Sequence, residues 1–303
     1  MNILNILFEL AETISYIRYN NISLINDYLC KMQTKLAEYT VVSFDMYNEY
    51  QNLLIHKHVE KANLKSDELD LFLDNSIKDV FMLSSSYVKE YFNGRSKYAP
   101  RVTFKSPYQD EFIVDLYRDV GEKGTFERFS IIENTAFKHI KDTGVYYICN
   151  NIPLYVRNDL YVNKRIDVNA VKNTIVESFS LKEFFFGKTE RDISWENCWD
   201  IDNKTNRPSA ESCYKSTIVI PMTIINSNVS KNFIKCVGGN SSFDKTIFGF
   251  LCLDHRHKEY FNDNIDIRFG YIVSDMVSLF LIIRMMYCSE FILNKDKADT
   301  KGK

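Results

Sequence analysis

The first 94 residues carry apolar side chains at helical spacing. Ile3, Leu7, Leu10 and Ile14 recur every three or four positions, and similar stripes continue towards Gly94. No run in this region alternates between apolar and polar residues, as a half-buried strand would. The region is therefore predicted to be entirely helical.

Polar residues divide this region into four predicted helices. The Asn20–Asn21 pair is expected to end the first helix, and Ser23 and Ser43 are expected to cap the second and third. A fourth helix is predicted over residues 66–93, because Ser66 precedes acidic residues that suit the positive end of the helix dipole. Long amphipathic helices of this kind often pack against a partner.

The pattern changes beyond Pro100 to short runs of β-branched and aromatic residues bounded by turn residues. Such runs predict strands. The predicted strands cover residues 101–105, 112–117, 145–149, 216–225 and 246–253. The helical periods predict helices over residues 130–143, 168–187 and 263–293.

These elements predict an α+β protein with two domains. We expect a helical region over residues 1–96, for dimerisation or partner contact, and a sheet-containing domain over residues 97–293. A disordered charged tail is expected over residues 294–303.

One predicted strand has clear alternation. Phe250, Cys252 and Asp254 alternate with Leu251 and Leu253, so a central antiparallel strand would send the two sets to opposite faces of the sheet. Gly249 lies in the same run, and a glycine in a strand allows a neighbouring element to approach closely.

Charge and cysteine usage narrow the class of protein. The 303 residues include 38 basic and 40 acidic side chains, so the basic excess of a nucleic-acid binder is absent. The seven cysteines are scattered and never form a CxxC pair, which is typical of reduced thiols in the cytoplasm. The apolar stretch over residues 271–293 contains Asp275, Arg284 and Glu290, which favours a buried helix over a membrane span.

The order of the last elements resembles the C-terminal part of GAF domains. The segment Ile247-Phe248-Gly249-Phe250-Leu251-Cys252-Leu253-Asp254 is followed by a short loop and a long helix. Upstream, the segments over residues 136–153 and 214–222 resemble the family's strand–turn regions. The resemblance implies an antiparallel sheet flanked by helices, a bound small molecule and a dimer formed through the terminal helices.

Ligand subclasses of that family are not matched. Its cyclic-nucleotide binders carry an Asn-Lys pair where this chain has Asp254-His255, and only Phe261 agrees with their pattern. The cluster Asp254-His255-Arg256-His257 lacks an identifiable third metal ligand, so no metal site is predicted and the cofactor is left unknown.

The predicted ligand-binding residues lie in two segments. The loop over residues 188–213 contains Arg191, Trp195 and Trp199, which combine aromatic faces with a charge that can hold an anion. Tyr147 and Cys149 belong to the strand that the resemblance places beside the pocket. The alternative for Trp195 and Trp199 is a pair that covers the edge of the sheet.

The sequence therefore predicts a cytoplasmic, bacterial sensor of a small molecule that signals as a homodimer to an effector protein, without nucleic-acid or membrane binding. Two alternatives remain. One is a thiol redox enzyme, similar to methionine-sulfoxide reductases, that uses Cys149, Cys198 or Cys213. The other is a ligand-free scaffold whose pocket is filled by Phe184, Phe185 or Phe186.

Overall fold

The computed structural model describes residues 3–108, 111–119, 128–173, 195, 198–199, 213–236 and 244–301. The helices are α1 (Ile3–Ile55), α2 (Val59–Tyr91), α3 (Thr135–Thr143), α4 (Ile152–Arg157), α5 (Val168–Asn173), α6 (Lys231–Cys236) and α7 (Ile265–Lys301), with a 3-10 turn at Asn226–Asn228. The strands are β1 (Arg101–Tyr108), β2 (Phe112–Arg118), β3 (Phe129–Ser130), β4 (Tyr147–Cys149), β5 (Ser216–Ile225) and β6 (Lys245–His255).

Contacts within the chain define two compact units. The helical unit comprises Met1–Ala99, Lys235–Val237 and Asp275–Lys303, and the sheet unit comprises Pro100–Ile234 and Gly238–Ser274. The α+β class is confirmed. The predicted domain limits at residues 96 and 293 stay a prediction.

The helical unit is built on an antiparallel hairpin of α1 and α2. The Tyr28 hydroxyl lies 3.0 Å from the Ser84 hydroxyl in the buried seam between them. The rings of Tyr39 and Phe72 stack with centroids 6.0 Å apart. The connection is short and passes through Lys57, whose φ of 60° is left-handed.

The later part of α7 is the third helix of this unit. Its Phe280 ring lies 5.2 Å from the ring of Tyr39, and its Arg284 Nε donates to Asp74 Oδ1 at 2.6 Å. Because α7 contacts both helices of the hairpin, the helical unit is a three-helix bundle.

The four predicted helices of the N-terminal region are wrong in number, because α1 continues through the Asn20–Asn21 pair, Ser23 and Ser43. Ser43 is fully buried on the same side of α1 as Tyr39 and Tyr50. Asn and Ser in a helix interior cost only a few tenths of a kcal/mol each relative to Ala. Packing of a continuous apolar stripe outweighs that cost, so the expected caps became interior residues.

Two other helix limits also differ from the sequence predictions. The helix predicted to start at Ser66 begins at Val59. The C-terminal helix, predicted to end at residue 293, is assigned as α7 through Lys301, and the disordered tail expected over residues 294–303 stays a prediction. No Gly or Pro occurs in residues 294–301, so this part of α7 contains no helix-breaking residue.

A six-stranded antiparallel sheet forms the centre of the sheet unit, with strand order β3-β2-β1-β6-β5-β4. β6 lies between β1 and β5, as the alternation of its residues predicts. A Cβ atom built at Gly249 would lie 2.6 Å from the Met222 sulfur of β5, which confirms the predicted close approach at this glycine.

The two faces of the three central strands differ in composition. One face carries the fully buried apolar residues Val102, Phe104, Ile218, Ile220, Leu251 and Leu253. Ile220 packs against the start of α7, where a Cβ atom at Gly270 would lie 2.0 Å from the Ile220 Cδ1. Glycine at position 270 therefore permits the close helix–sheet contact.

The other face carries α3. Ala136, Phe137 and Ile140 of this helix pack against Phe250 and other apolar residues of the sheet. Asn134 caps the helix, since its side chain accepts from the backbone N–H of Ala136 at 3.1 Å. Beside this apolar patch the same face becomes polar and charged.

Within the described residues, one helix has the length and apolar composition of a membrane span. The stretch Ile265–Tyr287 of α7 has a mean hydropathy of 1.6, and 44% of it is buried within the chain. The core helix of a globular protein can have the same length and apolar composition, so this stretch is weak evidence for a membrane span.

Candidate functional site

A small cavity of about 50 Å³ lies on the polar part of the α3 side of the sheet unit. Strands β1, β6 and β5 form its floor. The start of α3 and the segment over residues 161–165 also line it.

Strand register brings three polar side chains together on the floor. Asp254 of β6 pairs with Arg101 of β1 on one side and with Thr217 of β5 on the other. Arg101 Nη2 donates to Asp254 Oδ2 at 2.6 Å, and the Thr217 hydroxyl donates to Asp254 Oδ1 at 2.7 Å. Both oxygens of this buried carboxylate are therefore engaged by the protein.

The Arg101 guanidinium is held in place but incompletely paired. It lies 5.4 Å from the centroid of the Tyr214 ring, a cation–π distance. Burial lowers its pKa, but Asp254 outweighs burial and raises the pKa above the ordinary value. Its Nε is buried and has no hydrogen-bond partner among the described residues.

A second charged group extends the floor across β1 and β2. Lys105 and Arg118 both form ion pairs with Asp115, whose side chain is 3% exposed. Burial raises the pKa of Asp115, but the two cations outweigh burial and hold the pKa below its ordinary value. One carboxylate thus balances two cations.

Arg165 supplies a further cation from the segment that follows Asn163. Its guanidinium lies 6.0 Å from the centroid of the Trp199 ring. Its backbone N–H donates to Asn163 Oδ1 at 3.1 Å, which fixes the local turn. Within the described part of the chain, Arg165 has no carboxylate partner.

Uncharged polar groups complete the wall. Asn163 Nδ2 donates to the Tyr214 hydroxyl at 2.9 Å. Burial raises the pKa values of Tyr161 and Tyr214, so both phenols remain neutral at pH 7. These groups offer hydrogen bonds without adding negative charge.

Ion pairs engage both carboxylates near the cavity. Asp254 pairs with Arg101, and Asp115 pairs with Lys105 and Arg118. The described residues include no cluster of three or more His, Cys, Asp or Glu arranged to hold a metal ion. His255 Nδ1 accepts the backbone N–H of His257 at 3.1 Å, so that nitrogen is engaged locally.

The structure brings four of the predicted ligand-binding residues into one apolar cluster beside the cavity. Trp195, Trp199 and Cys149 are buried in this cluster, and Tyr147 packs against it. None of the four lines the cavity itself. Arg191 lies outside the described residues, so the role predicted for this set stays a prediction.

Trp195 and Trp199 contact each other edge to face, with ring centroids 5.8 Å apart. The Trp199 ring also lies 4.8 Å from the ring of Tyr214, which does line the cavity. The Trp pair therefore supports the wall of the cavity from behind.

The buried cysteine thiols described next have raised pKa values, which disfavour the reactive thiolate form. Burial raises the pKa of Cys149 to about 11 and raises the pKa of Cys198. Cys252 lines the cavity, and burial raises its pKa as well. A reactive cysteine needs a lowered pKa, so Cys149 and Cys198 give no support to the redox alternative. The role predicted for Cys213, the third cysteine of that alternative, stays a prediction.

Sequence reasoning missed the charged residues of the cavity. Arg101, Thr103 and Lys105 stand at alternate positions of a predicted strand, and Asp254 ends another. Charged residues on the inner strands of a sheet are the signal that would have indicated a site, because buried charges are rare. Phe184, Phe185 and Phe186 lie outside the described residues, so the ligand-free alternative, in which one of them fills the pocket, stays a prediction.

Comparison with known proteins gives distant likenesses only. No protein-family model and no curated protein matches the chain. Among solved structures, it is similar to a fragment of a methyl-accepting chemotaxis protein, with a TM-score of 0.39 and 11% identity over 71% of this chain and 97% of that one.

Two further structures show a similar degree of likeness. The free methionine-R-sulfoxide reductase of Neisseria meningitidis has a TM-score of 0.34 and 11% identity, over 74% of this chain and 92% of its own. A far-red cyanobacteriochrome photoreceptor has a TM-score of 0.34 and 12% identity, over 75% and 96%. The α+β fold with an antiparallel sheet rests on the chain's own strands, and its assignment to the GAF family stays a prediction.

Proposed function

We propose that the protein is a regulatory protein that binds a small molecule in the cavity on the α3 side of its sheet. The observation that carries this proposal is the buried, charged floor formed by Arg101, Asp254 and Thr217. Buried ion pairs are a weak source of stability compared with apolar packing. A polar cavity at this position is better explained by ligand binding.

Regulation requires that the ligand favour one conformation over another. Helix α7 is continuous from Ile265 to Lys301 and contributes residues to both units. It contacts the sheet at Ile220 through Gly270. We propose that a change at the sheet is passed to the helical unit through α7, and that the helical unit forms the homodimer and the surface for an effector protein in the bacterial cytoplasm.

Native mass spectrometry of the purified full chain tests this function. We expect a non-covalent mass that is lost on denaturation, because a polar cavity of this kind holds its ligand through several hydrogen bonds. The same spectrum counts subunits, and two are expected. A strict monomer would contradict the dimer.

A cavity-filling variant sharpens the test. Thr103 is buried on the cavity floor, and Thr103→Phe would place a ring where the ligand binds. The variant should lose the extra mass while keeping the circular dichroism spectrum of the wild type. If Thr103→Phe does not fold, Arg165→Ala serves instead, because Arg165 is only half-buried. An extra mass that survives in the folded variant, or no extra mass in the wild type, would overturn the proposal.

A further inference from the structure

We propose that the ligand of this cavity is a small oxyanion carrying two negative charges, held by Arg101 and Arg165. The inference rests on the function proposed above and names the chemical class of the ligand. Phosphate and a short dicarboxylate share this chemistry.

The charge balance of the cavity favours an anion. Its cationic side chains are Arg101, Lys105, Arg118 and Arg165. Among the described residues, the carboxylates paired with them are Asp254 and Asp115, which leaves a net charge of about +2 for this part of the cavity. Neutral phenols and amides supply the remaining polar groups, so a doubly charged anion would balance the site.

Two sets of donors are available to such a ligand. Arg101 Nε is buried, and no described residue accepts its proton. A buried donor without an acceptor costs about as much free energy as a lost hydrogen bond, so an acceptor from a ligand is favoured. The Arg165 guanidinium has no carboxylate partner in the described part of the chain and lines the same cavity.

Aromatic rings restrain both guanidinium groups. Arg101 lies against Tyr214, and Arg165 lies against Trp199. The two rings contact each other with centroids 4.8 Å apart. Restrained arginine side chains lose less conformational entropy on binding, and their planar donors match the oxygens of a carboxylate or a phosphate.

The volume of the cavity and the dipole of helix α3 both favour a small anion. A cavity of about 50 Å³ has room for a group of a few non-hydrogen atoms. Asn134 and Ala136 at the N-terminus of α3 line the cavity. The positive end of the helix dipole adds to the attraction for an anion at this wall.

Isothermal titration calorimetry of the full chain with sodium phosphate, and separately with sodium malonate, tests the inference. We expect saturable binding of at least one of these probes with a Kd below about 1 mM, weakened by added sodium chloride because salt screens the attraction. The tighter of the two probes distinguishes a phosphate ligand from a carboxylate ligand.

Matched arginine variants locate the binding. Arg165→Gln should raise the Kd of the probe at least tenfold, because a charge-assisted contact is lost. Arg157→Gln makes the same change of charge at a half-buried arginine of the sheet unit that does not line the cavity, and it should change the Kd less than twofold. Equal effects of the two variants would overturn the inference.

Native mass spectrometry separates failure of this inference from failure of the proposed function. If neither probe binds while the wild type retains a neutral or cationic molecule, the anion assignment is wrong and the binding function stands. If neither probe binds and no mass is retained, both are overturned.

Discussion

The two faces of the central sheet use the same three strands for different purposes. Phe104, Ile218 and Leu251 fill one face with fully buried apolar side chains. On the other face, Arg101, Thr217 and Asp254 form a hydrogen-bonded group. Alternate residues of one strand thus contribute to two chemically different faces of the sheet.

The two faces differ in what burial of their side chains contributes to stability. Burying an apolar side chain stabilises the fold by about 1.5–3 kcal/mol, whereas burying a charge costs free energy unless it is fully paired. The apolar face accounts for stability, and the charged face is retained at a cost. The binding role proposed above accounts for this cost.

The largest expected effect comes from the apolar face. Ile220→Ala should lower the free energy of unfolding by about 4 kcal/mol, because it removes a fully buried side chain at the contact with α7 and leaves a cavity. Chemical denaturation measures the change. Ile225→Ala, at a half-exposed position of the same strand, should cost less than about 1 kcal/mol.

The next effect comes from the charged face. Asp115→Asn should lower the free energy of unfolding by about 3 kcal/mol at pH 7, because it leaves Lys105 and Arg118 without their shared carboxylate. Denaturation of this variant should be compared with that of Asp142→Asn, which makes the same change at an exposed position of α3 and should have little effect.

Asp115 also predicts a dependence on pH. Its pKa in the folded protein lies below the ordinary value, so its contribution is complete above about pH 4 and is lost as the pH falls through the folded pKa. Unfolding curves should be recorded at several values between about pH 6 and about pH 3. The free energy of unfolding should fall more steeply with decreasing pH in the wild type than in Asp115→Asn. If the free energy of unfolding depends on pH in the same way in both proteins, Asp115 is not stabilised by the ion pairs described here.

A smaller effect is expected where a hydrogen bond alone is lost. Thr217→Val keeps the shape of the side chain but removes the donor to Asp254 Oδ1, and it should cost about 2 kcal/mol. Thr223→Val on the same strand, at a half-buried position, is the matched control for thermal or chemical denaturation. If the two variants are equally stable, the carboxylate of Asp254 does not depend on Thr217.

The smallest effect is expected in the helical unit. Arg284 and Asp74 form an ion pair whose side chains are 34% and 51% exposed. Solvent weakens such pairs, so Asp74→Asn should change stability by less than about 0.5 kcal/mol. A loss comparable to that of Asp115→Asn would show that burial is not what separates the two regions.

Short runs of β-branched and aromatic residues made the strands predictable. The five predicted strands all correspond to observed strands, and Gly249 lies in close contact with β5 as expected. Helix ends were less predictable, because Ser23 and Ser43 have the chemistry of caps but lie inside α1. Tertiary packing decides such cases, and it is not encoded in the local residues.

The cavity was beyond the reach of the sequence for a related reason. Arg101 and Asp254 are 153 residues apart, and only the antiparallel register of β1 and β6 brings them together. Arg165 lies in an irregular segment with no period to indicate its direction. The predicted residues Trp195 and Trp199 lie behind the cavity wall, where the Trp199 ring contacts Tyr214 and Arg165 and the Trp195 ring contacts Trp199.

The proposed binding of a small anion by the arginine side chains of this cavity can be observed residue by residue. Two-dimensional NMR of the arginine Nε–H groups, recorded during titration with phosphate or malonate, tests it most directly. We expect the Arg101 and Arg165 signals to shift until saturation while the Arg157 signal stays in place. Signals that remain unchanged at Arg101 and Arg165, or that shift equally at all three arginines, would contradict the account.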